Sequence, residues 1–284
     1  MDEKNRLNEL SAQEWLKFTK TWFVHNPPPR RKTEKLHPAK YPESLIKEFV
    51  LFFTKPGEVV FDPFLGTGST LVACHQTQRN GLGIELQEKY AQIAKERLQE
   101  LEGQLKLNPA GAGLQCKQVV IQGDSLNLDY LWQQYTLPEI DFLITSPPYG
   151  MMLQKKGLAA KERSDEGLET KYSEDSADLG NAATYELFLE KLIEIFLKIK
   201  PKMKEGGYLV VILQNFMDKG EYKTLAWDFA KKMSLHYQLR GERIWCMDNK
   251  TLYPYGYRYS FVPNVHHHYC LIFKNVELAK TVEK

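Results

Sequence analysis

The stretch Phe61-Asp62-Pro63-Phe64-Leu65-Gly66-Thr67-Gly68-Ser69-Thr70 decides how this sequence folds. A short apolar run over 58–61 ends in an acid, a Gly-x-Gly turn follows, and a helical segment starts near Ser69. Strand, glycine turn and helix in that order begin a βαβ unit. Gly66 and Gly68 let the backbone turn sharply and approach a ligand with no Cβ in the way. The helix N-terminus would offer unpaired N–H groups to a carboxylate or another anion. Taken alone, the turn is equally well explained as a tight connection with no ligand, so its neighbours decide.

Downstream of the turn the chain alternates. Strands are predicted at 81–86, 119–122, 140–145 and 208–213, and helices at 89–101 and 185–199. A helix over 222–235 precedes final strands at 244–246 and 268–273. This pattern predicts an α/β fold with a doubly wound, mostly parallel, seven-stranded sheet. Ligands of such sheets sit beyond the carboxyl ends of the strands. Upstream, Ser11 and Glu14 form a capping box, and Trp15, Phe18, Trp22 and Phe23 extend helical spacing over 11–24. Pro27-Pro28-Pro29 then starts an extended basic linker, and a second helix follows Pro42. The chain reads as a single domain, 1–284, with an N-terminal helical arm over 1–42. The stretch 102–117 is expected to be a loop or short excursion. The polar stretch 150–183 is read as a mobile lid or substrate-contacting loop rather than a disordered insertion.

The 284 residues are 43% apolar and 26% charged, as in an ordinary soluble protein. No apolar run is long enough for a membrane helix, and Met1-Asp2-Glu3-Lys4 does not begin a secretory signal. Cys74, Cys116, Cys246 and Cys270 lack zinc-site spacing and fit reduced thiols of a cytoplasmic protein. His266, His267 and His268 are consecutive, so in a strand they alternate faces and cannot all reach one ion; no metal is expected. A net charge of +2 neither demands nor excludes nucleic acid. The basic run Arg30, Arg31, Lys32, Lys35 and Lys40 is either a solvated face or a phosphate contact.

Two further strand ends give the glycine turn a ligand. Glu85 closes the second strand of the unit, where a carboxylate accepts from both hydroxyls of a ribose. Asp124, after the third, is placed to accept from an adenine amino group. The turn lacks the Gly-Lys-Ser/Thr that grips a triphosphate, and Asp62 would repel a pyrophosphate. A positively charged sulfonium with an amino-acid end suits the same acids, with Asp62 facing its amino group. The cofactor expected is S-adenosyl-L-methionine.

The strand at 140–145 leads into Ser146-Pro147-Pro148-Tyr149. Two prolines fix φ and remove two donors, so the carbonyls there point rigidly. Ser146 and the Pro147 carbonyl are placed to accept from an –NH2 group, holding its nitrogen lone pair toward an incoming methyl. Tyr149 offers a face on which an extruded base can stack. No Pro-Cys turn supplies the nucleophile that carbon-5 cytosine chemistry needs.

On these motifs the chain resembles the amino-methyltransferases of DNA, the adenine-N6 and cytosine-N4 family, over nearly its whole length. His37-Pro38-Ala39-Lys40-Tyr41-Pro42 resembles the segment that closes over the methionine part of the cofactor, and Asp62 to Thr70 the cofactor loop. The resemblance therefore implies cofactor contacts from Tyr41, Pro42, Asp62, Pro63, Phe64, Gly66, Gly68, Thr70, Glu85 and Asp124. It also implies catalysis by Ser146, Pro147, Pro148 and Tyr149. Tyr255-Gly256-Tyr257 through His268-Tyr269 matches the family's late region. Tyr255 and Tyr257, with Arg30, Arg31 and Lys32, are candidate DNA contacts. Serine opening the catalytic motif implies cytosine-N4, with adenine-N6 as the alternative, in an enzyme of the restriction-modification type. No segment is large enough for a conventional target-recognition domain. Specificity must then come from 150–183, 102–117, the arm or a partner, or else it is low; a partner subunit or a homo-oligomer is expected as a possible assembly. An RNA guanine-N2 enzyme and an inactive DNA-binding subunit are the remaining alternatives.

Overall fold

A computed structural model describes residues 5–26, 41–107, 116–148, 179–218 and 220–278, with only the backbone at 104–107. Its centre is five parallel strands: β2 (Val59–Asp62), β3 (Asn80–Glu85), β4 (Gln118–Gln122), β5 (Ile140–Thr145) and β6 (Met203–Leu213). Beyond β6 lie β10 (His267–Lys274) and β9 (Gln238–Cys246), both antiparallel to their inner neighbours, and then β1 (Trp22–Val24), parallel to β9. The order across the sheet is β1-β9-β10-β6-β5-β2-β3-β4.

The sheet therefore has eight strands, the expected seven and one from the N-terminal arm. The helix predicted over 11–24 is split. α1 (Ala12–Phe18) stops early, and Trp22–Val24 becomes β1 against Ile244, Trp245 and Cys246. Ser11 and Glu14 do form the capping box. What ends the helix is tertiary: the Arg243 guanidinium lies 4.0 Å from the Phe18 ring centre and 4.3 Å from that of Phe23, and Arg243 Nε donates to the Lys20 carbonyl.

The inner strands are apolar on both sides, as parallel strands covered on two faces must be. Phe61, Leu143, Leu209, Val211 and Leu213 enter one core. Val60, Phe142, Ile144, Val210 and Ile212 enter the other, and the period of two separates them. The first core is closed by α5 (Leu128–Tyr135), α6 (Tyr185–Ile199) and α7 (Leu225–Met233) through Leu131, Phe196 and Phe229. The second is closed by α2 (Glu43–Phe53) and α3 (Ser69–Gln76), with Phe18 of α1 stacked on Phe52. α4 (Glu88–Leu107) packs on α3 through Ala94 and Leu98.

Two further points differ from expectation. α4 runs past Gly103 to Leu107 where a loop was expected from 102. α5 and the hairpin of β7 (Phe216–Asp218) and β8 (Glu221–Lys223) are additional elements. Both are too short to impose a period on the sequence. The basic linker over 27–40 and most of the stretch 150–183, namely 150–178, lie outside the described residues. No helix among the described residues is long and apolar enough to cross a membrane.

Candidate active site

The five parallel strands end on one edge, and the predicted site residues that are described gather there. β2 ends in Asp62, which is 0% exposed. Its Oδ2 accepts from the hydroxyls of Tyr41 and Thr70, both at 2.5 Å. Its Oδ1 accepts from Thr145 Oγ1 at 2.6 Å and from the Phe64 N–H at 3.0 Å. A carboxylate has about four lone-pair sites, and protein donors take all of them. Asp62 was expected to face the cofactor's amino group; the geometry instead makes it a hub joining β2, α3, β5 and the segment before α2. Burial pushes its carboxyl pKa up, and the four donors oppose that. Burial, with Asp62 beside it, raises the Tyr41 phenol well above its ordinary value. Tyr41 and Thr70 thus brace the hub from below. Pro42 caps α2, and the Pro63 carbonyl accepts from Ser125 Oγ at 2.6 Å.

The glycine turn stands directly above this hub. Glu85 Oε2 accepts from the Gly66 N–H at 2.7 Å, and Oε1 from the Gln87 N–H at 2.9 Å. Gly68 caps α3 with φ of 87°, and a Cβ there would lie 2.9 Å from Ala94 Cβ. Both conformation and space therefore require glycine. Arg97 bonds the Thr67 carbonyl and pairs with Glu43, tying the turn to α4 and α2. Asp124 follows β4, with Oδ1 accepting from the Leu126 N–H at 2.8 Å.

Thr67 Oγ1 and Ser69 Oγ are buried within the turn and have no hydrogen-bond partner among the described residues. Buried hydroxyls are nearly always satisfied. Two orphans at a helix N-terminus, beside a backbone that admits no Cβ, are what a small polar or carboxylate group would complete. The residues present therefore fit the amino-acid end of S-adenosylmethionine, and Glu85 and Asp124 stand on the adjoining strand ends.

Ser146-Pro147-Pro148 leaves β5 one residue after Thr145, so the strip is anchored to the Asp62 hub by the Thr145 hydroxyl. Pro147 is buried and Ser146 partly exposed; Tyr149 lies outside the described residues. Beside the strip, β6 ends in two amides that sequence reasoning missed. Gln214 Nε2 donates to the carbonyls of His267 (2.8 Å) and Val265 (3.4 Å). Asn215, 0% exposed, accepts from the Ala226 N–H at 2.8 Å, while its Nδ2 has no partner. The available signal was two amides directly after an apolar strand at the ligand edge.

The three histidines divide as their spacing requires. His267 lies against Tyr269, and His268 stacks on Trp245 with ring centres 4.6 Å apart. Burial pushes the His268 pKa down to about 3. Among the described residues no group of three or more His, Cys, Asp or Glu could hold a metal. Tyr255 and Tyr257 are exposed on the excursion between β9 and β10, at the same edge as the strip. Arg30, Arg31 and Lys32 lie outside the described residues.

Residues 1–96 match the N6/N4 methyltransferase family described as DNA methylase. Over 67 residues the chain is 39% identical to the Type II methyltransferase M.HpaI of Haemophilus parainfluenzae; that stretch is 24% of this chain and 21% of that protein. Over 69 residues it is 42% identical to the Type II methyltransferase M.HinfI of Haemophilus influenzae, covering 24% of this chain and 19% of that one. These matches span about a fifth of the relatives' length. Among solved structures, NSun6 from Pyrococcus horikoshii with SFG superposes with a TM-score of 0.52 at 11% identity, covering 88% of this chain and 57% of that one. That likeness is one of fold, the Rossmann-like α/β sheet described above.

Proposed function

We propose that this chain, which through residues 1–96 belongs with the DNA amino-methyltransferases, moves a methyl group from S-adenosyl-L-methionine to the exocyclic amino group of a DNA base, cytosine N4 foremost. The observation that carries this reading is the 2.6 Å hydrogen bond from Thr145 to Asp62. It fixes the amino-accepting strip against the floor of the cofactor turn on a single sheet edge.

S-adenosylmethionine supplies an electrophilic methyl group when bound. The N-terminus of α3, with Thr67 and Ser69, would receive its amino-acid end; Glu85 would accept from the ribose hydroxyls and Asp124 from the adenine amino group. The target base leaves the duplex, because no amino group inside a base stack can reach the strip. The Ser146 hydroxyl and the Pro147 carbonyl accept from the –NH2 group and aim its lone pair at the methyl carbon. The methyl group would come from the bound cofactor, which would depart as the neutral thioether, and the amine proton would pass to solvent. No covalent enzyme intermediate is required. Tyr149 stacks on the base, and Tyr255, Tyr257, Arg30, Arg31 and Lys32 contact DNA around it. In the family that this chain resembles, serine opens the motif in most cytosine enzymes and aspartate in most adenine enzymes, and that resemblance favours cytosine. The location implied is the cytoplasm.

Incubating the protein with methyl-labelled cofactor and either unmethylated genomic DNA or RNA, then separating nucleosides by mass spectrometry, should yield N4-methylcytosine from the DNA. N6-methyladenine would move the assignment to the sister chemistry, and methylated guanine from RNA would overturn the DNA target. Absence of label from both would leave a binding subunit. Tyr149→Ala should lower turnover by about 10- to 100-fold while cofactor affinity is retained. Loss of cofactor binding in that variant would mean the strip is misplaced.

A further inference from the structure

We infer that the excursion over residues 247–266, between β9 and β10, is a wedge that opens duplex DNA, with Tyr259 and Phe261 entering the stack vacated by the extruded base. This inference rests on the proposed methylation of a flipped DNA base.

The topology places the excursion. β10 is antiparallel to both β6 and β9, so β9 runs in the same direction as β5 and β6. Cys246 therefore ends on the edge where Thr145 leads into the catalytic strip. The root is held from several sides. The Met247 N–H donates to the His266 carbonyl at 2.8 Å, and Asn26 Nδ2 to Asp248 Oδ1 at 2.6 Å. Gln214, at the end of the strand beside the strip, donates to the carbonyls of Val265 and His267. The second leg of the excursion is thus bonded directly to the target half of the site.

The excursion has a frame of its own. Asn264 both accepts from the Tyr253 N–H and donates to its carbonyl, each at 2.9 Å. The N–H groups of Tyr259 and Ser260 both donate to the Gly256 carbonyl at 2.9 Å. Gly256 has φ of 69°, and a Cβ there would lie 2.3 Å from the Ser260 carbonyl oxygen. A turn this tightly determined presents its side chains in fixed directions, and it presents rings to water. Tyr259 is 93% exposed and Phe261 89%, more than any other large apolar side chain among the described residues. Aromatic groups held outward on a preset frame mark a surface that another molecule covers.

Position and chemistry identify that molecule as the DNA substrate. Lys250 and Arg258 supply the cations of the excursion, and its acid, Asp248, is engaged by Asn26. A duplex that gives up one base needs an apolar filler for the gap, and side chains inserted between base steps serve this purpose elsewhere. Tyr255 and Tyr257, the candidate DNA contacts of the sequence, lie on the same excursion.

The test begins by mapping the sites that the wild type methylates in genomic DNA, then building one such site into two short duplexes. In one the target base is fully paired; in the other it faces an abasic position, so that extrusion needs little help. The double variant Tyr259→Ser/Phe261→Ser should lose about tenfold or more in kcat/KM on the paired duplex and stay within about threefold of wild type on the abasic one. Tyr259→Trp/Phe261→Trp should retain activity on both. Cofactor affinity and thermal midpoint should be unchanged, because neither ring packs on the core. Equal loss on both duplexes, or no loss on either, overturns the wedge while leaving methyl transfer intact. A wild type that methylates nothing overturns the proposed function, and the wedge with it.

Discussion

Asp62 and Asn215 are both fully buried, both polar, and both stand where an inner strand reaches the ligand edge. Asp62 has its carboxylate filled by four protein donors. Asn215 has one partner on its oxygen and none on its nitrogen. The contrast extends around them. On the cofactor side, Asp62, Glu85 and Arg97 all help to hold the turn together, and among the described residues the small hydroxyls of Thr67 and Ser69 have no hydrogen-bond partner. On the side of the strip, a buried amide nitrogen has no partner among the described residues, and a turn of rings is exposed. A cofactor of constant shape favours a rigid, preassembled cradle. A base that must enter and leave needs groups satisfied only while it is there.

The strongest way to break this contrast is Asp62→Ala. If Asp62 is the hub described, the variant strands the hydroxyls of Tyr41, Thr70 and Thr145 in the core and destabilises the fold by about 3–5 kcal/mol, read as a lower urea midpoint. If Asp62 instead faced the cofactor's amino group, affinity would fall while stability held. Thr67→Val with Ser69→Ala sharpens the contrast through opposite signs. Removing two unpartnered buried hydroxyls should leave the cofactor-free protein as stable or more so, by about 1 kcal/mol. The same change should weaken S-adenosylmethionine binding about tenfold by calorimetry. A fall in both would mean that the hydroxyls serve the fold.

The smallest effect concerns the root of the target side. His268 is held neutral because burial against Trp245 pushes its pKa from 6.5 to about 3. The unfolded chain takes up a proton there as pH falls below about 6.5, and the folded chain does not, so this contribution to stability is full above that pH and declines toward pH 3. Urea midpoints at about pH 7.5 and about pH 5 should show the loss, and His268→Gln should make it smaller. An identical acid loss in the variant would place the titrating group elsewhere.

Periodicity made much of this legible. Runs buried on two faces predicted the inner strands, and the fifteen residues of α6 were predicted to both ends, because a 3.6-residue apolar stripe persists over four turns. β1 was hidden, since Trp22 and Phe23 suit a helix as well as a strand and only the edge of β9 decides between them. Glu85, Asp124 and Ser146 were expected at strand ends, and the structure places them there. Asn215 was not: two amides after an apolar strand were the available signal, but burial and pairing are properties of surroundings.

The sequence by itself determined the alternation of strands and helices, the glycine turn at Gly66 and Gly68, and the rigid Ser146-Pro147-Pro148 segment after β5. These are local, set by dihedral freedom, hydrophobic period and donor inventory. Only the tertiary structure decided that Asp62 faces inward to four protein donors, that the arm adds an eighth strand, and that 247–266 rises beside the strip. Each of these depends on contacts between residues far apart in the chain, and such contacts leave no period behind them.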